Sequence, residues 1–325
     1  MREVAFIRQN KEKWTEIEQV VSGKIKKNPD DLSSIYINLV NDLSFAQTYY
    51  PKSKTTVYLN HLASIIFQKI YKTRRIEENR LLYFFKTEVP LIVYKYRTYL
   101  FFAFVFFGIF TAIGLLSAIY DPEFCKLILG DDYVNMTIEN IKNDNAVGVY
   151  QSGSNWGSTI GITINNILVG AKMFLYGVFG GVGSLFVLLQ NSIMLGSFQY
   201  FFYEYGALKD SARGIWLHGT FEIFSMVVEA AAGLVLGASI LFPKTYSRFN
   251  SFKIGFRDSF KIFLSTVPFT IVAAIIEGYV TRYALQMPLF LNLIIIFGCL
   301  FIISFYYFVY PYIVSKKINH NDAVL

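Results

Sequence analysis

Cysteine is scarce, with 2 in 325 residues. Cys125 falls in a stretch read as loop and Cys299 inside an apolar run, so no disulfide is expected between them. A glycine-rich phosphate loop, a nucleotide-binding fingerprint and a Ser/His/Asp arrangement are all missing. This excludes an ATP-driven pump unless a partner supplies the ATPase. No internal repeat stands out, and no matched pair of broken apolar segments marks an inverted-repeat transporter. Residues Met1 to Gly23 carry Arg2, Glu3, Lys11, Glu12 and Lys13 without an apolar run, so no signal peptide is expected and the N-terminus should stay where it is made. Charge itself is in short supply. Only 16% of residues are charged against 54% hydrophobic and 18% aromatic, and the mean hydropathy is +0.41. That balance is too apolar for an ordinary soluble domain and indicates an integral membrane protein.

The net charge of +7 does not point to nucleic acid. Its basic residues cluster beside apolar segments, where they set membrane orientation, and no basic face with stacking aromatics lies elsewhere.

Residues 1–97 read as a cytoplasmic helical domain followed by an interfacial elbow. Trp14, Ile17, Val20 and Val21 recur at helical spacing until Lys24 to Pro29 stops the helix. Asp30 is a suitable N-cap for a second helix carrying Leu32, Ile35, Leu39 and Leu43, ended near Tyr49–Tyr50–Pro51. A third, from about Thr55 to Tyr71, aligns Leu59, Leu62, Ile66 and Ile70. Leu81 to Arg97 is apolar, broken by Pro90 and closed by Lys95 and Arg97, as expected of an elbow in the headgroup region.

Residues 98–314 supply the transmembrane bundle. Thr98 to Ile119 is a first span, and 121–156 is a polar, acidic extracytoplasmic loop with Asp131, Asp132, Glu139 and Asp144. Ile162 to Tyr203 is long enough for two spans, reversing at Gly180 to Gly183 or else near Gln190–Asn191. Trp216 to Gly237, Phe263 to Tyr283 and Met287 to Val314 complete six, with a basic loop at 243–261 and a cytoplasmic tail at 315–325. Lys72, Arg74, Arg75, Lys95, Arg97, the basic loop and Lys316–Lys317 would all be cytoplasmic. Only an even number of crossings returns both termini to that side, so the expected fold is an all-α polytopic bundle of six transmembrane helices.

The chain's polar singularity is the fourth span. His218, Glu222, Ser225 and Glu229 fall within about 60° of arc on a helix otherwise fit for lipid. Ionisable groups at that depth cost at least about 2.5 kcal/mol each against lipid, so this face must meet protein, water or a ligand. Asn165, Asn166, Asn191, Glu277 and Arg282 are polar groups on neighbouring spans at similar depth. His218 and Glu222, four apart, are potential metal ligands on one face. His61 and His320 are expected in the cytoplasm, so a metal would need Glu229 or Glu277 as well, and no metal or cofactor is assigned. A hydrogen-bonded network tying the spans together is the alternative. Small residues four apart, Gly177 with Gly181, Ser192 with Gly196 and Gly233 with Gly237, predict close backbone packing among three spans, or a homo-oligomer contact. Lys172 and Glu229 have opposite charge at similar depth and are expected to pair.

The sequence resembles the stage II sporulation protein M family of bacterial inner-membrane proteins, in its long form with a cytoplasmic helical domain. The resemblance rests on Trp14, Asp42–Leu43, Tyr49–Tyr50–Pro51, Tyr58–Leu59–Asn60, Pro90, Asn165–Asn166 with Val169, Phe174 with Gly177, and Leu188 with Asn191–Ser192–Ile193–Met194–Leu195–Gly196. It continues through His218–Gly219–Thr220–Phe221–Glu222, Gly233 with Gly237, and Ile276–Glu277–Gly278. Ser192 stands where the family usually has Gly, and Lys172 and Glu229 where it usually has small or apolar residues. The resemblance implies a membrane protein whose namesake anchors peptidoglycan-cleaving partners during spore formation. The expectation is therefore a non-enzymatic scaffold in the inner membrane, serving envelope or cell-wall maintenance, with membrane lipids and other envelope proteins as partners. The rival is a transporter or intramembrane enzyme for a lipid or small polar solute that uses His218, Glu222 and Asn165–Asn166. A cavity open to the outer leaflet would favour the rival, and a closed, mutually bonded cluster the scaffold.

Overall fold

The computed structural model of the chain describes residues 2–22, 25, 29–71, 79–121, 123–143, 145–151 and 155–322. Lys24, Lys26, Lys27, Lys72, Arg74, Arg75 and Asp144, part of the charge pattern above, lie outside them. The described residues form helices and turns with no strand, in two compact units, Met1–Arg80 and Leu81–Leu325.

The first unit is α1 (Glu3–Val21), α2 (Pro29–Tyr49) and α3 (Lys54–Tyr71). α2 starts one residue ahead of the expected cap and ends where Pro51 demands. The apolar stripes meet as Phe6, Trp14, Ile17 and Val20 against Leu39, Leu43 and Ala46 and against Leu59, Leu62 and Ile66. Polar ties fix the register. Trp14 Nε1 donates to Asp42 at 2.9 Å. Lys69 Nζ caps the end of α1 by donating to the carbonyls of Val20 and Val21 at 2.8 and 2.7 Å, groups that a helix terminus leaves unpaired. At the other end the Glu3 carboxylate accepts from Ser53 and from Thr55 Oγ1, joining the start of α1 to the turn before α3.

The second unit opens with α4 (Arg80–Tyr83), a π-helical turn at Phe84–Glu88 and α5 (Val89–Lys95). Val89, Pro90 and Val93 are buried, so this elbow packs on the bundle and belongs to it, and the chain divides at residue 80. Among the described residues, six helices are long and apolar enough to cross a membrane: Arg97–Tyr120, Thr159–Val178, Val182–Glu204, Leu208–Leu241, Arg248–Tyr283 and Leu289–Lys317. They are built from α6 (Arg97–Tyr120), most of α9 (Asn155–Leu175), α10 (Val182–Glu204), α11 (Leu208–Leu241), α12 (Arg248–Ile275), α13 (Leu289–Ser304) and the first part of α14 (Tyr310–Asp322). Gly180 and Gly181, with φ of 68° and 86°, make the reversal between the second and third, a conformation that costs a side-chain-bearing residue.

α11 is the axis of the bundle. Its most apolar stretch is 67% buried, against 17% for the first and last spans, and it packs on α6, α9, α10, α12 and α13. Two segments read as loops are helical. Residues 121–156 contain α7 (Phe124–Leu129) and α8 (Asp131–Lys142), whose Cys125 and Val134 pack with Phe201, Phe202 and Ile215. The basic stretch 243–261 is mostly the start of α12, capped by Ser247, whose Oγ accepts from the Asn250 amide. Its charges do not unfold it because Asp258, 2% exposed, receives Lys95 Nζ at 2.8 Å, Tyr96 Oη at 3.1 Å and the Arg257 guanidinium at 2.8 Å. Cys125 and Cys299 are both free.

Candidate functional site

The polar face of α11 divides into two environments. Its lower member, Glu229, is sealed: Thr266 Oγ1 donates to its Oε1 at 2.7 Å, and Gly170 of α9 leaves the space that the carboxylate fills. The expected pairing with Lys172 is not what forms. Positions 170 and 172 are about 200° apart on a helix, so with Gly170 facing Glu229 the Lys172 side chain points away, and it is exposed. Similar depth along two helices says nothing about which way their side chains turn.

The upper members face a cavity of about 390 Å³ between α10 and α11. His218, Gly219 and Glu222 of α11, Asn191 and Met194 of α10, and Glu277 line it, and Tyr133 of α8 with Ile128 and Leu129 of α7 cover one end. Met194 is exposed, so the cavity reaches the flank of the bundle. Glu277 sits in a π-helical turn, Ile276–Val280, that continues α12. Such single turns rotate the following residues off the α-helical register and recur at functional sites. The turn beyond it is held by Arg213 of α11, which donates to the carbonyls of Ala284 and Met287 at 3.2 and 2.8 Å, and by Asn292, which donates to Ala284 at 2.9 Å.

This frame brings one imidazole and two carboxylates together. One ligand atom from each of His218, Glu222 and Glu277 lies within 4.8 Å of the others. His218 Nδ1 is 3.0 Å from Thr281 Oγ1, and its Nε2 is 3.9 Å from Glu277 Oε2. Asn166 lies beside the Glu222 carboxylate. Asn165, a neighbour in sequence but 100° away round α9, is exposed and donates to Asn166 Oδ1 at 3.4 Å. Asn191 lines the cavity while its amide donates to the Val187 carbonyl at 2.8 Å. Burial pushes the Tyr133 phenol above its ordinary value, and the nearby Glu277 carboxylate pushes it the same way.

Two members of the site carried no sequence signal. Tyr133 lies in a stretch too polar to read as part of a membrane site, and Thr281 matters only through the π turn that aims it at His218. The small residues sit where helices touch: Gly177 lies against Gly233, Gly180 and Gly181 against Gly237, and Gly196 against Thr111 of α6. Ser192 is buried and its Oγ donates to the Leu188 carbonyl at 2.7 Å.

A family model described as Stage II sporulation protein M matches residues 102–282, more than half of the chain. The chain belongs to that family. The stage II sporulation protein M match runs from the first turns of α6 to the residue after Thr281, and so takes in every residue that lines the cavity. A second model, described as a domain of unknown function, matches residues 4–72, the stretch of α1 to α3. No curated protein and no solved structure matches the chain.

Proposed function

We propose that this protein binds a lipid headgroup or small polar solute inside the bilayer, as a transporter or intramembrane enzyme, through the cavity between α10 and α11. The observation that carries this reading is the cavity itself. A set of interhelical ties would be closed and mutually bonded, as Glu229 is. His218, Glu222 and Glu277 instead converge on a space of about 390 Å³ with an apolar wall and an exposed rim. A pocket with few convergent polar groups is the form that small-molecule sites take.

The charge pattern supports a bacterial inner-membrane setting with both termini cytoplasmic. Lys95, Arg97, Lys244, Arg248, Lys316 and Lys317 all fall at the elbow end of the bundle, while Asp121, Glu123, Asp131 and Asp132 fall at the other. Basic residues gather on the cytoplasmic side. We propose in addition a scaffold role, in which the separate N-terminal unit recruits envelope proteins, peptidoglycan-remodelling ones among them.

Gly219 offers a clean test, because a Cβ there would lie 3.6 Å from Ile223 and 3.7 Å from Ile215, ordinary contact distances. Gly219→Phe should fill the cavity without unfolding the bundle. Native mass spectrometry of the full chain from lipid nanodiscs should show a bound lipid or solute that the variant lacks. Equal loading of both proteins would refute the reading.

A further inference from the structure

The His218 ring is anchored at Nδ1 by what lies behind it. The Thr281 hydroxyl donates to the Ile276 carbonyl at 3.3 Å, which leaves its oxygen to accept from His218 Nδ1 at 3.0 Å. In the tautomer that donates from Nδ1 to Thr281, Nε2 carries the lone pair and lies 3.9 Å from Glu277 Oε2. An imidazole nitrogen beside a carboxylate, in a site where His218 is 4% exposed, makes a place where a cation would be stabilised. Glu222 brings a second carboxylate to the same point, all three ligand atoms lying within 4.8 Å of one another.

We propose that His218 Nε2, Glu222 and Glu277 bind a divalent transition-metal ion, zinc by preference, with its fourth coordination position facing the cavity. Three features beyond the donor set support this. A histidine ligand characteristically donates its other ring N–H to an oriented acceptor, the part played by Thr281. A dication with two carboxylates and a neutral imidazole sums to zero charge, which removes the penalty of placing either carboxylate in the membrane. Three protein ligands beside an open space match reactive zinc sites, where bonds of about 2.0–2.2 Å bring donors to about 3.4 Å apart. One imidazole favours zinc or iron over magnesium and calcium, which prefer all-oxygen shells.

The proposal rests on the reading of this cavity as a ligand site and deepens it by naming what the ligand meets. The test uses the full chain in detergent, stripped with chelator and then incubated with zinc or with cobalt(II). The wild type should regain about one equivalent of metal per chain. Its Tm should rise, and cobalt should give the visible bands of a tetrahedral site. His218→Ala and Glu277→Gln should lose all three signals, whereas Glu229→Gln, whose carboxylate lies outside the cluster, should keep them. A folded wild type that gives neither bands nor a Tm change overturns the proposal without needing any variant, and leaves His218 and Glu277 sharing a proton. Metal retained in full by His218→Ala also overturns it. Metal bound in chains that hold no lipid or solute upholds the metal site and refutes the wider reading, and a lipid or solute bound in metal-free chains that ignore zinc does the reverse.

Discussion

Replacing Gly233 by alanine should damage the bundle where the same change at Gly298 should not. A methyl on Gly233 would collide with Ser184 Oγ and the Met173 carbonyl, and with Ser184 Cβ at 2.7 Å. Backbone on one side and a short side chain on the other leave little room to yield. Overpacking of this kind costs about 1–3 kcal/mol. The Ser184 hydroxyl also loses its bond to the Met173 carbonyl, 2.6 Å in the native bundle, worth about 1 kcal/mol. The sum is a loss of about 2–4 kcal/mol. At Gly298 nothing lies within 4 Å of the added carbon. There the better helix propensity of alanine contributes up to about 1 kcal/mol in the other direction. Reversible unfolding by sodium dodecyl sulfate, followed by circular dichroism, measures both variants on one scale. Should the two lie within about 0.5 kcal/mol of each other, the spread of ordinary surface changes, the account of α9, α10 and α11 meeting backbone to backbone fails.

Asp258→Ala should destabilise by about 2 kcal/mol, since it removes an acceptor bonded to Lys95, Tyr96 and Arg257, discounted because Lys95 is 54% exposed. The same unfolding measurement checks it, and an unchanged midpoint would remove that network from the account of the elbow. In the N-terminal unit, hydrogen bonds from Ser53 and Thr55 hold the Glu3 carboxyl below its ordinary value of 4.5. A depressed folded-state value stabilises above the ordinary value and is lost as pH falls through the depressed one. Amide exchange at Thr55 and Thr56 should therefore be slower in wild type than in Glu3→Gln at neutral pH, the difference vanishing below that range. A difference that persists there would mean that the carboxylate is not what holds the turn.

The number of spans, the tight reversal at Gly180–Gly181 and the three N-terminal helices were legible because each rests on a one-dimensional signal: length, glycine, or a repeat of 3.6. So was the polar face of α11. Azimuth was not. Asn165 and Asn166 look equivalent in sequence, yet one turn angle sends only Asn166 to Glu222, and the same angle turns Lys172 away from Glu229. Charge misled at 243–261, where a buried aspartate lets a basic segment stay helical. Tyr133 and Thr281 reach the site through packing of α8 and through a π turn, neither of which leaves a periodic trace.

The two π-helical turns at Phe84–Glu88 and Phe305–Val309 face one another across the elbow. A π turn leaves carbonyls without their usual intrahelical partners, and Tyr306 and Tyr310 supply donors to Phe85 and Lys86, each at 3.0 Å. Those tyrosines belong to the last span, whereas the carbonyls precede the first. Backbone groups left unpaired in a bilayer cost several kcal/mol each. The elbow therefore leaves the ribosome before any span, and its Phe85 and Lys86 carbonyls gain these donors only when the helix that carries Tyr306 and Tyr310 packs beside it, more than 200 residues later.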